Sequence, residues 1–200
     1  MADAVANPAL IPHSSNETWV LPSRGVVGMA CLIVAEAAIF IIFIVAYVFY
    51  EGKSLSGPTP QDALEVPIFT TICLLSSSLT VHFAVSALHH GKRLACTAWL
   101  AATVLLGGIF LAGTAHEWYH LIYHDGLTIQ TNLFGTTFYS LVGLHATHVI
   151  VGLTMLSLAL FLSLRGTLTS KHTERLHVLS LYWHFVYSVW VAVFLVVYIL

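Results

Sequence analysis

Five apolar runs, each of a length that crosses a lipid bilayer as a helix, constrain this chain more than any other feature. They extend from about Val26 to Tyr50, Pro67 to Leu88, Ala95 to Ala115, Thr136 to Phe161 and Leu176 to Leu200. A helix needs roughly 20 apolar residues to span about 30 Å of hydrocarbon at about 1.5 Å per residue. In lipid every backbone N–H and C=O must be paired within the protein, which admits only helices or a closed barrel. None of the runs alternates with the short period of a barrel strand, so the expected fold is all-α, a bundle of five transmembrane helices. The charge content agrees: 8% of residues are charged, against about 25% in soluble domains.

Residues 1–25 are polar, with Asp3 and Glu17, and lack the basic start and short apolar core of a cleavable signal. The first run is therefore expected to insert by itself, and residues 26–200 to form a single transmembrane domain. The longest connection, Glu51 to Val66, carries Gly57, Pro58 and Pro60 and has no room for a folded module. Arg24, Lys92, Arg93, Arg165, Lys171 and Arg175 share one side of the alternating topology, and only Lys53 lies on the other. The positive-inside rule then puts the N-terminus in the cytoplasm and the C-terminus outside. Cys31, Cys73 and Cys96 form no C-x-x-C and sit in or beside apolar runs, where they read as packing residues. Neither an internal repeat nor a pair of broken helices marks a transporter, and no nucleic-acid surface is present.

Function must then rest on the few polar groups among the helices. Glu36 stands in mid-run, between Leu32, Ile33, Ile39 and Phe40 on its own helix. An ionised carboxylate there costs roughly 2.5–3.5 kcal/mol on the insertion scale, so it meets a polar group from elsewhere or keeps its proton. His82 has Ser78 and Ser86 one turn to either side, which reads as small hydroxyls satisfying an imidazole at a helix contact.

The third run ends in His116-Glu117-Trp118-Tyr119-His120, a literal H-E-x-x-H. One turn of helix would let His116 and His120 hold zinc while Glu117 activates water, the arrangement of an intramembrane metalloprotease. The aromatic neighbours Trp118, Tyr119 and Tyr123 favour an interfacial belt instead, and the later helices supply no carboxylate as a third ligand. His145 and His148 lie on one face of the fourth run, where they read either as haem ligands facing His82 or His184, as in a di-haem cytochrome b, or as helix fastenings. Gly135, Tyr139, Gly143 and Ala146 draw a close-approach line beside them. His184 opens the fifth run inside an aromatic cluster.

Taken in order, these pieces resemble subunit III of the haem-copper oxidases, in the short form without the first two of seven helices. The resemblance runs from about Arg24 to Leu200. It rests on Ala35-Glu36 followed by Phe40, Phe43 and Tyr47, and on Thr71, Leu74, Leu75 and the serine run of the second helix. It continues through Glu117 with Tyr119 and His120, then Phe138-Tyr139, Gly143, His145, His148-Val149 and Gly152, and ends with Tyr182-Trp183-His184-Phe185-Val186 and Trp190. Three positions depart from the family pattern: Ala146 replaces a usual Gly, Tyr187 a usual Asp, and His116 a common aromatic, so H-E-x-x-H looks like a local substitution.

The resemblance implies a non-catalytic subunit of a proton-pumping oxygen reductase in a bacterial inner membrane. Haem and copper would belong to the partner subunits I and II, and none to this chain. Bound phospholipid, sustained proton uptake and membership of a larger respiratory supercomplex are further implications, and a nitric oxide reductase component is the nearest alternative. On this reading Glu36 is the functional carboxylate at a lipid-facing cleft. His82, Glu117, His120, His145, His148 and His184 are expected to be polar contacts between helices.

Overall fold

A computed structural model describes residues 23–50, 52–53 and 67–199. Most of the polar N-terminal segment and of the Glu51–Val66 connection therefore lies outside the described residues. Five long helices are present: α1 (Arg24–Tyr50), α2 (Ile68–His89), α3 (Arg93–Tyr123), α4 (Leu133–Leu164) and α5 (Thr173–Phe194). Each stretch is long and apolar enough to cross a membrane, α5 together with its flanking turns, and no strand occurs among the described residues. A 3₁₀ turn, Ser170–His172, leads into α5, and a π-helical turn, Leu195–Ile199, follows it.

The helices outrun the apolar runs. α3 continues past Ala115 through the whole H-E-x-x-H segment to Tyr123, and α4 starts at Leu133 and ends at Leu164. Hydropathy marks where lipid ends, whereas a helix continues until its hydrogen bonding is interrupted. At α4 that point is Asn132, whose side chain accepts from the Gly135 N–H at 2.7 Å and satisfies one of the orphan donors of the first turn. Replacing Asn132 by Ala is expected to cost about 1 kcal/mol, read as a lowered thermal midpoint in detergent, and Asn132→Asp to cost little. At the other end of α2, Gly91 takes φ 72° while Lys92 N–H reaches back to Ala87 O at 2.9 Å. This is the left-handed helix stop that glycine permits.

α2, α3, α4 and α5 close into a ring, each packing on its neighbours and α5 returning to α2. α1 packs mainly on α4 and α5 rather than on α2, which follows it in sequence. Much of α1 therefore faces outward, with Val34, Ile41 and Ile42 exposed and only Phe40 and Tyr47 buried.

Trp183 sits where the ring is tightest. It is fully buried, and a Cβ added at Gly107 of α3 or at Gly152 of α4 would meet its ring at 3.0 Å or less. Its indole N–H donates to Ser77 Oγ of α2 at 2.9 Å, and Trp190 N–H donates to Thr71 Oγ1 at 3.1 Å. Residue numbers rise on α2 as they fall on α5, so two indole-to-hydroxyl bonds hold this antiparallel pair in register. In lipid, where apolar surface gives no drive for helices to associate, such close packing and interhelical bonds hold the bundle.

Candidate functional site

Glu36 lies near the middle of α1, and α1 packs on α4 so that the carboxylate meets His148, itself near the middle of α4. Glu36 Oε2 and His148 Nε2 are 3.1 Å apart, with both side chains largely but not wholly buried. The other ring nitrogen, Nδ1, lies 2.8 Å from Leu144 O. A carbonyl only accepts, so Nδ1 carries a proton. A neutral ring then leaves Nε2 as acceptor and Glu36 as donor; a doubly protonated ring faces an ionised Glu36. In both distributions a single proton lies between Nε2 and Oε2, and the pair is neutral overall.

That neutrality is what a mid-membrane position requires, since an isolated charge is costly there. Phe40, one turn after Glu36, places its ring 5.0 Å from His148 and closes the inner side. Tyr182 of α5 donates to the backbone carbonyl of His148 at 3.4 Å, so a third helix is joined to α4 at this residue.

The other polar residues are placed differently. Glu117 accepts from Tyr198 Oη at 2.8 Å, joining α3 to the π turn that follows α5. His120 is exposed, and its inter-helix contact is replaced by a local one: Nδ1 is 3.3 Å from Asp125 Oδ2, and the ring stacks on His124 at 4.6 Å. The reason is its orientation in the last turn of α3: Leu121 turns into the core there, and His120 faces outward. His145 is fully buried, yet neither ring nitrogen has a hydrogen-bond partner. It stacks on Trp190 at 5.0 Å and meets Phe110 edge-on at 5.9 Å, so it fastens α4 to α5 and α3 by ring packing, not by polar bonding.

His82 is exposed beside Phe83, and no hydrogen bond to Ser78 or Ser86 is formed. Ser78 Oγ instead donates to Leu75 O at 2.7 Å within its own helix. His184 is half-buried with Nδ1 unpaired, and its ring meets Tyr187, the residue standing where Asp is usual, at 5.6 Å.

The serine run serves a purpose that its spacing does not reveal, because Ser77 and Thr71 receive the two indoles of α5. The line through Gly143 and Tyr139 does approach another element: Trp118 of α3 lies 3.4 Å from a Cβ at Gly143 and 5.4 Å, ring to ring, from Tyr139. Among the described residues, no three His, Cys, Asp or Glu side chains gather as a metal ion would need.

The sequence has close relatives. The family profile described as cytochrome c oxidase subunit III matches residues 16–200. The chain is 38% identical over 203 residues to the cytochrome c oxidase subunit 3 of Corynebacterium diphtheriae, covering 99% of this chain and 98% of the relative. With that of Alkalihalophilus pseudofirmus the identity is 32%, covering 100% and 98%. It is also 33% identical to the cytochrome bo(3) ubiquinol oxidase subunit 3 of Pseudomonas putida, covering 94% and 88%.

Proposed function

The chain belongs to the cytochrome c oxidase subunit III family, and from that premise we propose that it holds no redox centre of its own and keeps proton uptake durable in the oxidase around it. It is a multi-pass membrane subunit of a haem-copper oxidase, an oxidoreductase complex. In this proposal haem and copper reside on the partner subunits I and II, the complex pumps protons in a bacterial inner membrane, and phospholipid binds between the helices. The N-terminus lies in the cytoplasm, in line with the basic side of the alternating topology.

The neutral Glu36–His148 pair carries this reading. Its geometry places one proton between the two side chains, at mid-membrane and with partial exposure. A group of this kind stabilises local helix packing and local protonation without performing electron transfer. The histidines that a haem would need are otherwise engaged or apart: His148 is held at both nitrogens, His145 is enclosed by rings, and His82 is exposed.

Glu36→Ala in the purified complex tests the reading. Initial turnover is expected to stay near wild type while the activity persists for about fivefold fewer turnovers, the equivalent of about 1 kcal/mol lost at one hydrogen bond. Glu36→Gln, whose amide can donate to Nε2, is expected to persist longer than Glu36→Ala. If initial turnover, persistence and phospholipid content were all unchanged, Glu36 would be a packing residue only.

A further inference from the structure

The H-E-x-x-H segment, which the proposed function leaves unused, is divided by its own helix. Glu117 accepts from Tyr198 on the inner side, whereas His116 and His120 are exposed. A zinc protease needs the glutamate and both histidines around one ion, so the motif as written is not a site. The next histidine completes a different set. His124 follows His120 by four residues, one turn of helix, and is exposed on the same face.

The rings of His120 and His124 stack with centroids 4.6 Å apart and planes 20° apart. Nitrogens bound to one ion at about 2.0–2.1 Å stand at most about 4.2 Å apart, so a small swing of either exposed ring brings both onto a common ion. His120 Nδ1 lies 3.3 Å from Asp125 Oδ2. An ionised carboxylate only accepts, so Nδ1 carries the proton and Nε2 of the neutral ring keeps its lone pair. A carboxylate behind the imidazole in this way orients a metal-binding histidine and raises its basicity.

The backbone beneath the set is fixed. His124 N–H donates to His120 O at 2.8 Å, Gly126 takes φ 63°, and Leu127 N–H returns to Leu121 O at 2.9 Å. Leu127 is fully buried, and its carbonyl accepts from Tyr139 Oη at 2.8 Å. A closed loop therefore holds Asp125 beside the last turn of α3. Thr128, Gln130 and Thr131 next to it are exposed and polar, which suits an aqueous surface and not lipid.

We propose that His120 and His124 together hold a divalent transition ion of the zinc, copper or nickel class, with Nε2 as the His120 ligand and Asp125 orienting that ring. Imidazole suits these ions, whereas calcium and magnesium take oxygen ligands. Two protein ligands leave the remaining positions to water, so the ion is exchangeable and not structural. The inference does not depend on the reading of the Glu36–His148 pair.

The purified complex, washed with EDTA and dialysed against radioactive zinc, provides the test. The wild type is expected to bind one more zinc ion per chain than the double variant His120→Ala/His124→Ala. Asp125→Asn should weaken that binding about tenfold and either single alanine variant by more, while His116→Ala leaves it unchanged. Binding is scaled to haem absorbance, so that assembly of a variant does not enter the comparison. With Cu2+ as the probe, the electron paramagnetic resonance spectrum, less that of the complex before copper is added, should show coupling to two ring nitrogens in the wild type and to one in His124→Ala. Equal zinc binding by the wild type and the double variant, a loss in His116→Ala equal to that in His124→Ala, or a copper signal unchanged in His124→Ala would overturn the proposal.

Discussion

Trp183→Ala is expected to destabilise the bundle by about 3 kcal/mol. In water-soluble cores the loss for such a change is about 3–5 kcal/mol. Here the low end applies, because lipid is as apolar as the protein interior and the transfer part of the loss shrinks. What remains is the cavity between Gly107 and Gly152, two positions without side chains that leave nothing to collapse inward. The Ser77 hydroxyl also loses its donor. Four helices meet at this ring, so the effect should appear as a cooperative loss of unfolding resistance in mixed micelles of dodecyl maltoside and sodium dodecyl sulfate. Trp183→Phe, which keeps most of the ring but not the N–H, should recover more than half of the loss. A Trp183→Ala chain as resistant as wild type would show that the packing of α2, α3 and α4 on α5 does not hold the bundle.

His148→Leu is expected to cost about 2–3 kcal/mol, because it leaves the Glu36 carboxyl without its partner at mid-membrane. Glu36→Leu alone should cost less, about 1 kcal/mol, since it leaves only a neutral imidazole nitrogen unpaired. The pair is neutral and partly buried, so removing both members at once should restore most of the stability. The double variant Glu36→Leu/His148→Leu is therefore expected to be about 2 kcal/mol more stable than the sum of the single effects predicts. The same micelle titration measures all three variants. Strict additivity would mean that Glu36 and His148 do not share a proton and merely lie close together.

The parts of the site that were legible in the sequence are those where the chemistry leaves one outcome. Glu36 is an acid in mid-run, and lipid compels such a group to find a partner or hold its proton; the structure supplies the partner, His148, and with it the proton. His120 and His82 were legible as polar but not as placed. His120 faces outward in a turn of α3 whose inner side is held by Leu121, so a local acid is the nearer partner, and His82 faces outward because α2 turns Ser77 and Thr71 toward α5 instead. His145 shows the limit most clearly: its residue type suggests polar bonding, and its surroundings are aromatic rings.

Sequence alone determined that this chain forms five helices in a membrane, because apolar runs of that length exclude water and lipid admits no unpaired backbone. It also determined, through ordered motifs spread over five helices, the family to which they belong. Only the tertiary structure decided which polar groups meet. That depends on how each helix is rotated about its own axis, and helices that are apolar on every side carry little asymmetry from which the rotation can be read. The positions of Gly107, Gly152 and Ser77 around Trp183, and of His148 opposite Glu36, follow from close packing between helices distant in sequence. The existence and order of five membrane spans were therefore readable in the sequence, while the proton held between Glu36 and His148 became visible only once α1 was placed against α4 rather than against α2.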